Sequence, residues 1–275
     1  MKIDAHQHFW RYAAAEYGWI DENMRAIRTD FFPETLAPIL AVNGVDGTVA
    51  VQARQTRAET NWLLDLADGN PTIKGVVGWV PLTEPTIAHT LASLVQHPRF
   101  KGVRHVVQGE PDPAFLEGGS FNRGITECTK LRLVYDVLIL AHQLPATIAF
   151  VDRHPNQVFV LDHIAKPVVE NTPASEWVKN IRELARRENV SCKFSGVITE
   201  VPGWQWTPEL IRPYFNVVLE AFGPRRLMFG SDWPVCLVAG SYERWLRFVN
   251  DCVAKLSTKE QAGILGENAA TIYRL

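Results

Sequence analysis

Short apolar runs recur along this chain, and most are followed by a segment whose apolar residues fall three and four positions apart. The runs occupy residues 3–8, 48–52, 75–80, 102–107, 134–140, 158–163, 190–196 and 227–232. Near-continuous apolar runs of this length fit strands covered on both faces, the condition of a parallel sheet. Between them the helical period is legible. Thr56-Arg57-Ala58-Glu59 reads as a capping box, Trp62, Leu63, Leu66 and Ala67 supply one apolar face, and Gly69 ends the segment. A second helix begins near Pro85, carries Ile87, Leu91, Leu94 and Val95 on one stripe, and stops at His97-Pro98. Further helices are predicted over residues 125–131, around Trp177, Ile181, Leu184 and Ala185, and over 217–222 before Gly223-Pro224.

Eight strands alternating with helices, without a linker or a shift in composition, predict an α/β fold. The expected architecture is a single (β/α)8 TIM barrel spanning residues 1–275 as one domain. Chemistry in such a barrel sits where the strands end. One stretch breaks the rhythm. From Phe9 and Trp10 through Tyr12, Tyr17 and Trp19 to Phe31, Phe32 and Pro33 the sequence is aromatic-rich and aperiodic. Following the first strand, it reads either as a lid over the site or as a hydrophobic plug that closes the barrel.

Composition narrows the partners. Of the 275 residues 47% are hydrophobic and 21% charged, and the formal net charge is -2, so no basic field for nucleic acid or anionic membrane is present. A small molecule is the expected partner; oligomeric state is not legible. Cys128, Cys192, Cys236 and Cys252 form no Cys-x-x-Cys pair. With no apolar segment ahead of the first strand, the expectation is a cytoplasmic protein.

The candidate chemistry lies at the ends of the runs. His6 and His8, two apart on a strand, point to one face. The sixth run ends Leu161-Asp162-His163 and the eighth ends Phe229-Gly230-Ser231-Asp232. A lone His-x-His is as often structural as functional, but barrel folding needs none of these four side chains, and they converge. On the fourth strand Arg104 and His105 point to opposite faces, and the sequence does not choose which looks inward. His142, Lys193, Gln52 and Trp19 are further substrate-contact candidates, with Ser195 and Trp79 weaker ones. His89 falls off its helix stripe and reads as surface.

Ala5-His6-Gln7-His8-Phe9-Trp10, Leu161-Asp162-His163-Ile164-Ala165-Lys166-Pro167 and Phe229-Gly230-Ser231-Asp232-Trp233-Pro234 together resemble the amidohydrolase superfamily. Within it they are similar to the sugar-lactonase subgroup, which includes enzymes for L-fucono- and L-rhamnono-lactones and for a pyrone dicarboxylate. The resemblance implies a hydrolase acting on a lactone. Ester cleavage needs a base for water and positive or hydrogen-bonding groups at the carbonyl oxygen, which makes Asp232 the candidate base, His6 and His8 the groups that orient it, and His163 and Lys166 those that polarise the carbonyl. In metal-dependent members a strand-5 His, or a strand-4 Lys or Glu, completes the metal shell. Leu138 takes that strand-5 position here, and Arg104 is no ligand. The expectation is therefore that no metal is required, although His6, His8, His163 and Asp232 offer a site for adventitious zinc. Two other readings stand beside this one: a metal-dependent amidohydrolase or decarboxylase on the same barrel, and a barrel that only binds a ligand.

Overall fold

The computed structural model describes residues 1–275. Eight parallel strands follow one another around a (β/α)8 barrel in sequence order: β1 Ile3–Gln7, β2 Gly47–Val51, β3 Ile73–Gly78, β4 Phe100–Val106, β5 Val134–Leu138, β6 Phe159–Leu161, β7 Val190–Phe194 and β8 Leu227–Phe229. The ring closes just past β8. There Gln7 bridges Trp233 in parallel, the His8 N–H donates to the Trp233 carbonyl at 2.7 Å, and the Asp232 N–H donates to that of His6 at 2.8 Å.

The outer helices are α1 Pro33–Val42, α2 Arg57–Gly69, α3 Ile87–Leu94, α4 Gly119–Lys130, α5 Leu144–Arg153, α6 Ser175–Ala185, α7 Pro208–Phe222 and α8 Tyr242–Val253; the short α9 Thr258–Ala262 and α10 Asn268–Tyr273 end the chain. Thr56 caps α2 by accepting from the Glu59 N–H, but the predicted box stays half-formed, because the Glu59 carboxylate accepts from the Ala53 and Arg54 N–H groups instead. Helix α1 falls where the aromatic stretch runs out, and its pattern is blurred by Pro38, with Pro33, Leu36 and Leu40 keeping the inward spacing.

Two apolar layers hold the barrel. The larger packs the helices against the strands, while a smaller one fills the lower interior with Ile3, Ala5, Val49, Val51, Val77, Val134, Val160 and Met228, plugged by Ala269 and Tyr273 of α10. The β1–β2 register slips between Asp4 and Gln7. That bulge lets Ile3 and Ala5 pack inward while His6 and His8, of opposite parity, also face the interior above them. No helix is long and apolar enough to cross a membrane.

The loop after β1 packs as a plug in one part and lines the pocket with another. Trp10, Tyr17 and Phe31 are buried; Trp10 and Phe31 are joined by an antiparallel bridge, and Phe31 meets Trp233 edge-on with ring centroids 5.1 Å apart. Aromatic pairs of this geometry add about 0.5–1.5 kcal/mol beyond their area burial, so this half is a plug. Glu16 and Trp19, from the same loop, line the pocket above the strands.

Candidate active site

A cavity of about 550 Å³ opens at the C-terminal ends of the strands, lined on its floor by His8, Arg104, His163 and Asp232. His6, His8 and Arg104 come from a strand or its immediate end. Strands β6 and β8 stop short, so His163 and Asp232 project from the loops that follow rather than from strand termini.

Residues 163–166 form a left-handed turn, with φ of 51°, 50°, 63° and 45° at His163, Ile164, Ala165 and Lys166, and Asp232 is left-handed as well at 56°. Each such residue costs about 1–2 kcal/mol. The turn points His163 and Lys166 into one pocket. Gly196 permits it: at φ 64° a Cβ there would fall 2.4 Å from His163 Nδ1 and 3.1 Å from Asp232 Oδ2.

Three imidazoles surround one carboxylate oxygen. Asp232 Oδ1 lies 3.4 Å from His8 Nε2 and 3.8 Å from both His6 Nε2 and His163 Nε2. The other ring nitrogen of each histidine is engaged from behind. His8 Nδ1 donates to the Val51 carbonyl at 2.7 Å, His163 Nδ1 meets Ser195 Oγ at 2.9 Å, and His6 Nδ1 lies 3.3 Å from Asp162 Oδ1 and 3.2 Å from Lys193 Nζ.

Burial decides the protonation. It pushes His163 down to about 4 and holds His6 well below the ordinary value, so both are neutral at pH 7. Burial alone would raise Asp232, but facing His163, with His8 and His6, overrides it and keeps the carboxylate ionised far below the usual range.

Beneath the floor lies a layer of buried charge. Lys193 sits between Asp136 and Asp162, with Asp162 Oδ1 3.0 Å away, and Tyr273 Oη donates to Asp136 at 2.8 Å. Arg104 faces inward. Its guanidinium donates to Asp162 Oδ2 at 3.1 Å and to the Gln52 carbonyl, and stands 3.3 Å from His6 Nε2. Removing one member of such a buried set leaves a bare charge, at a cost of about 3–5 kcal/mol.

Several sequence candidates lie elsewhere. His105 faces away from the barrel, stacked on Phe115 at 4.8 Å and bonded to Glu110, because strand alternation gives the inward position to Arg104. Trp79 donates to His105 Nδ1 and is likewise outside the pocket. His142 is exposed on the turn Ala141–Gln143 and does not line the cavity. Gln52 and Lys193 are fully buried and reach the pocket only through Arg104 and His6. Trp19 lines it, and Lys166 lines it while paired with Glu200 at 3.1 Å. Sequence reasoning passed over Glu16, Arg54, Gln55, Thr56 and Gln108, which also line it. They sit in loops with no motif; only their position after the first, second and fourth strands could have flagged them.

The donor set suits a divalent ion. His6, His8 and Asp232 present ligand atoms within 4.8 Å of one another, as do His6, Asp162 and His163, and Nε2 of His8 is left bare by its Nδ1 bond. Strand β5 contributes no ligand, since Leu138 lines the cavity at its end.

A family profile described as amidohydrolase matches residues 3–275. The chain is 39% identical over 295 residues to L-fucono-1,5-lactonase of Burkholderia multivorans, covering 100% of this chain and 96% of the relative. It is 37% identical over 281 residues to L-fucono-1,5-lactonase of Burkholderia ambifaria, covering 100% and 96%. Among solved structures it is similar to an amidohydrolase from Burkholderia multivorans with bound zinc, at 40% identity and a TM-score of 0.96 over 100% of this chain and 99% of that one. The chain belongs to the amidohydrolase family.

Proposed function

We propose that the chain is a hydrolase opening a sugar-acid lactone, of the L-fucono- or L-rhamnono-lactone type, to the free acid. The observation that carries this reading is the 39% identity, over the full chain, to an L-fucono-1,5-lactonase. The cavity supports it. Only 5 of its 15 lining residues are hydrophobic, which suits a compact ring bearing several hydroxyls.

In this reading Asp232 Oδ1 binds a water on the pocket side of the three imidazoles, and takes its proton as the oxygen attacks the lactone carbonyl. Negative charge then gathers on the carbonyl oxygen, where Arg104 and Lys166 supply positive charge. The ring C–O bond breaks, and the proton passes from Asp232 to the departing alkoxide. A carboxylate held so low is a weak base. An activated ester tolerates that better than an amide does.

We propose further that turnover needs no metal. Support comes from Leu138 at the end of β5 and from the guanidinium beside His6 Nε2. A second reading is favoured by the zinc bound in the Burkholderia multivorans structure. There His6, His8 and Asp232, with His163, would hold the ion, which when bound supplies a Lewis acid and a water of lowered pKa. A pH-indicator screen of sugar lactones, run with and without chelator, tests the function. Opening of at least one sugar lactone is expected, and failure on all of them under both conditions would remove the lactonase reading.

A further inference from the structure

We propose that Glu16 and Arg54 form a hydroxyl-reading pair on the pocket wall, and that this pair selects polyhydroxylated neutral lactones over bare ones. The inference rests on the lactonase reading and goes on to name what recognises the rest of the ring. Both residues line the cavity, Glu16 from the loop after β1 and Arg54 from the loop after β2, together with Trp19.

Arg54 is held on three sides. Its Nη1 meets Glu16 Oε2 at 2.5 Å, its guanidinium lies 5.3 Å from the Tyr17 ring centroid, and its Nε is 3.8 Å from Glu59 Oε1. Glu59 is fully buried, and its other oxygen accepts the backbone N–H groups of Ala53 and Arg54 at 3.0 and 2.6 Å. One carboxylate thus fixes both the turn and the head group that leaves it. A guanidinium fixed this way loses little freedom when it binds.

The pair keeps capacity to spare. A guanidinium offers five N–H donors and a carboxylate about four acceptor positions, and their mutual contact uses few of them. Neither is the wall's net charge positive, since Glu16 offsets Arg54. An anionic group would meet the carboxylate and gain nothing, whereas a diol can give one hydroxyl proton to Glu16 and accept from Arg54 at the neighbouring oxygen. Trp19, 44% exposed, adds an apolar face for ring C–H groups. The floor with Asp232 is left to the carbonyl.

The test compares kcat/KM for a polyhydroxylated sugar lactone and for δ-valerolactone, which has the ring but no hydroxyls. Wild type, Arg54→Met and Glu16→Ala are measured, with circular dichroism to confirm folding. A site built to hydrogen-bond hydroxyls discriminates strongly against analogues lacking them. The expected result is that each variant loses at least about tenfold of the wild-type preference for the hydroxylated ring, by the same principle. A preference that survives in Glu16→Ala, which removes only a partly exposed side chain, overturns the proposal. If the screen yields no sugar lactone that wild type opens, with or without chelator, the lactonase reading itself fails; if wild type opens one and the preference is unmoved, only this pair does.

Discussion

Arg104 Nη1 stands 3.3 Å from His6 Nε2, so the ring nitrogen that turns toward Asp232 already faces a cation. A second cation, Lys193, lies 3.2 Å from the other nitrogen of the same ring. Burial, aided by Lys193, keeps this imidazole neutral, and a metal entering at Nε2 must work against the guanidinium. The expected outcome is that chelator-treated protein, shown by elemental analysis to be free of zinc, keeps its lactone-opening rate. Activity that vanishes with the metal and returns on adding zinc would favour the metal-dependent reading instead.

Asp232→Asn preserves size and most hydrogen bonds but removes the proton acceptor. The rate on the best lactone should fall at least about a hundredfold, the usual range for loss of a general base. Near-normal turnover in a folded variant would take the role away from this carboxylate.

His163→Ala and Lys166→Met should lower kcat more than they raise KM, because both are assigned to charge that develops in the transition state. Lys166 is paired with Glu200, so its loss should be the milder of the two. Steady-state kinetics showing raised KM with intact kcat would make them substrate-holding groups.

Gly196→Ala puts a methyl group 2.4 Å from His163 Nδ1, on top of the strain of φ 64°. Gly203, at φ 67°, has nothing within 4 Å of its would-be Cβ. Both variants should lose about 1–2 kcal/mol to the left-handed backbone. Only Gly196→Ala should also lose most activity. Equal activity in the two would show that His163 tolerates displacement.

Burial raises Glu59 to about 7 from an ordinary 4.5. Between those values the folded chain holds a proton that the unfolded chain has released, so this group's contribution is full below about 4.5 and is lost as pH rises through about 7. Glu59→Gln mimics the protonated form. Its Tm relative to wild type should therefore improve from pH 5 to pH 8, as followed by thermal melts in matched buffers. A difference that is flat with pH would mean that Glu59 is ionised throughout.

The barrel was legible because burial on both faces imposes apolar runs that no loop imitates, and His6, His8, His163 and Asp232 were legible because each closes such a run. The choice between Arg104 and His105 was not, since alternation fixes only that they part. It took Asp162 and the Gln52 carbonyl, each one residue past the end of another strand, to hold the guanidinium inward. His142 failed for a related reason: β5 ends at Leu138, so its parity no longer applies four residues later. Glu16 and Arg54 were invisible because their meeting depends on two loops separated by a helix and a strand.

The left-handed turn at residues 163–166 bears on how this protein can be improved. Four consecutive residues at about 1–2 kcal/mol each approach the whole net stability of an ordinary domain, about 5–15 kcal/mol. The segment that aims the chemistry thus carries concentrated backbone strain. Ala165→Gly would relieve part of that strain, and the same change would loosen the side chains of His163 and Lys166 on either side of it.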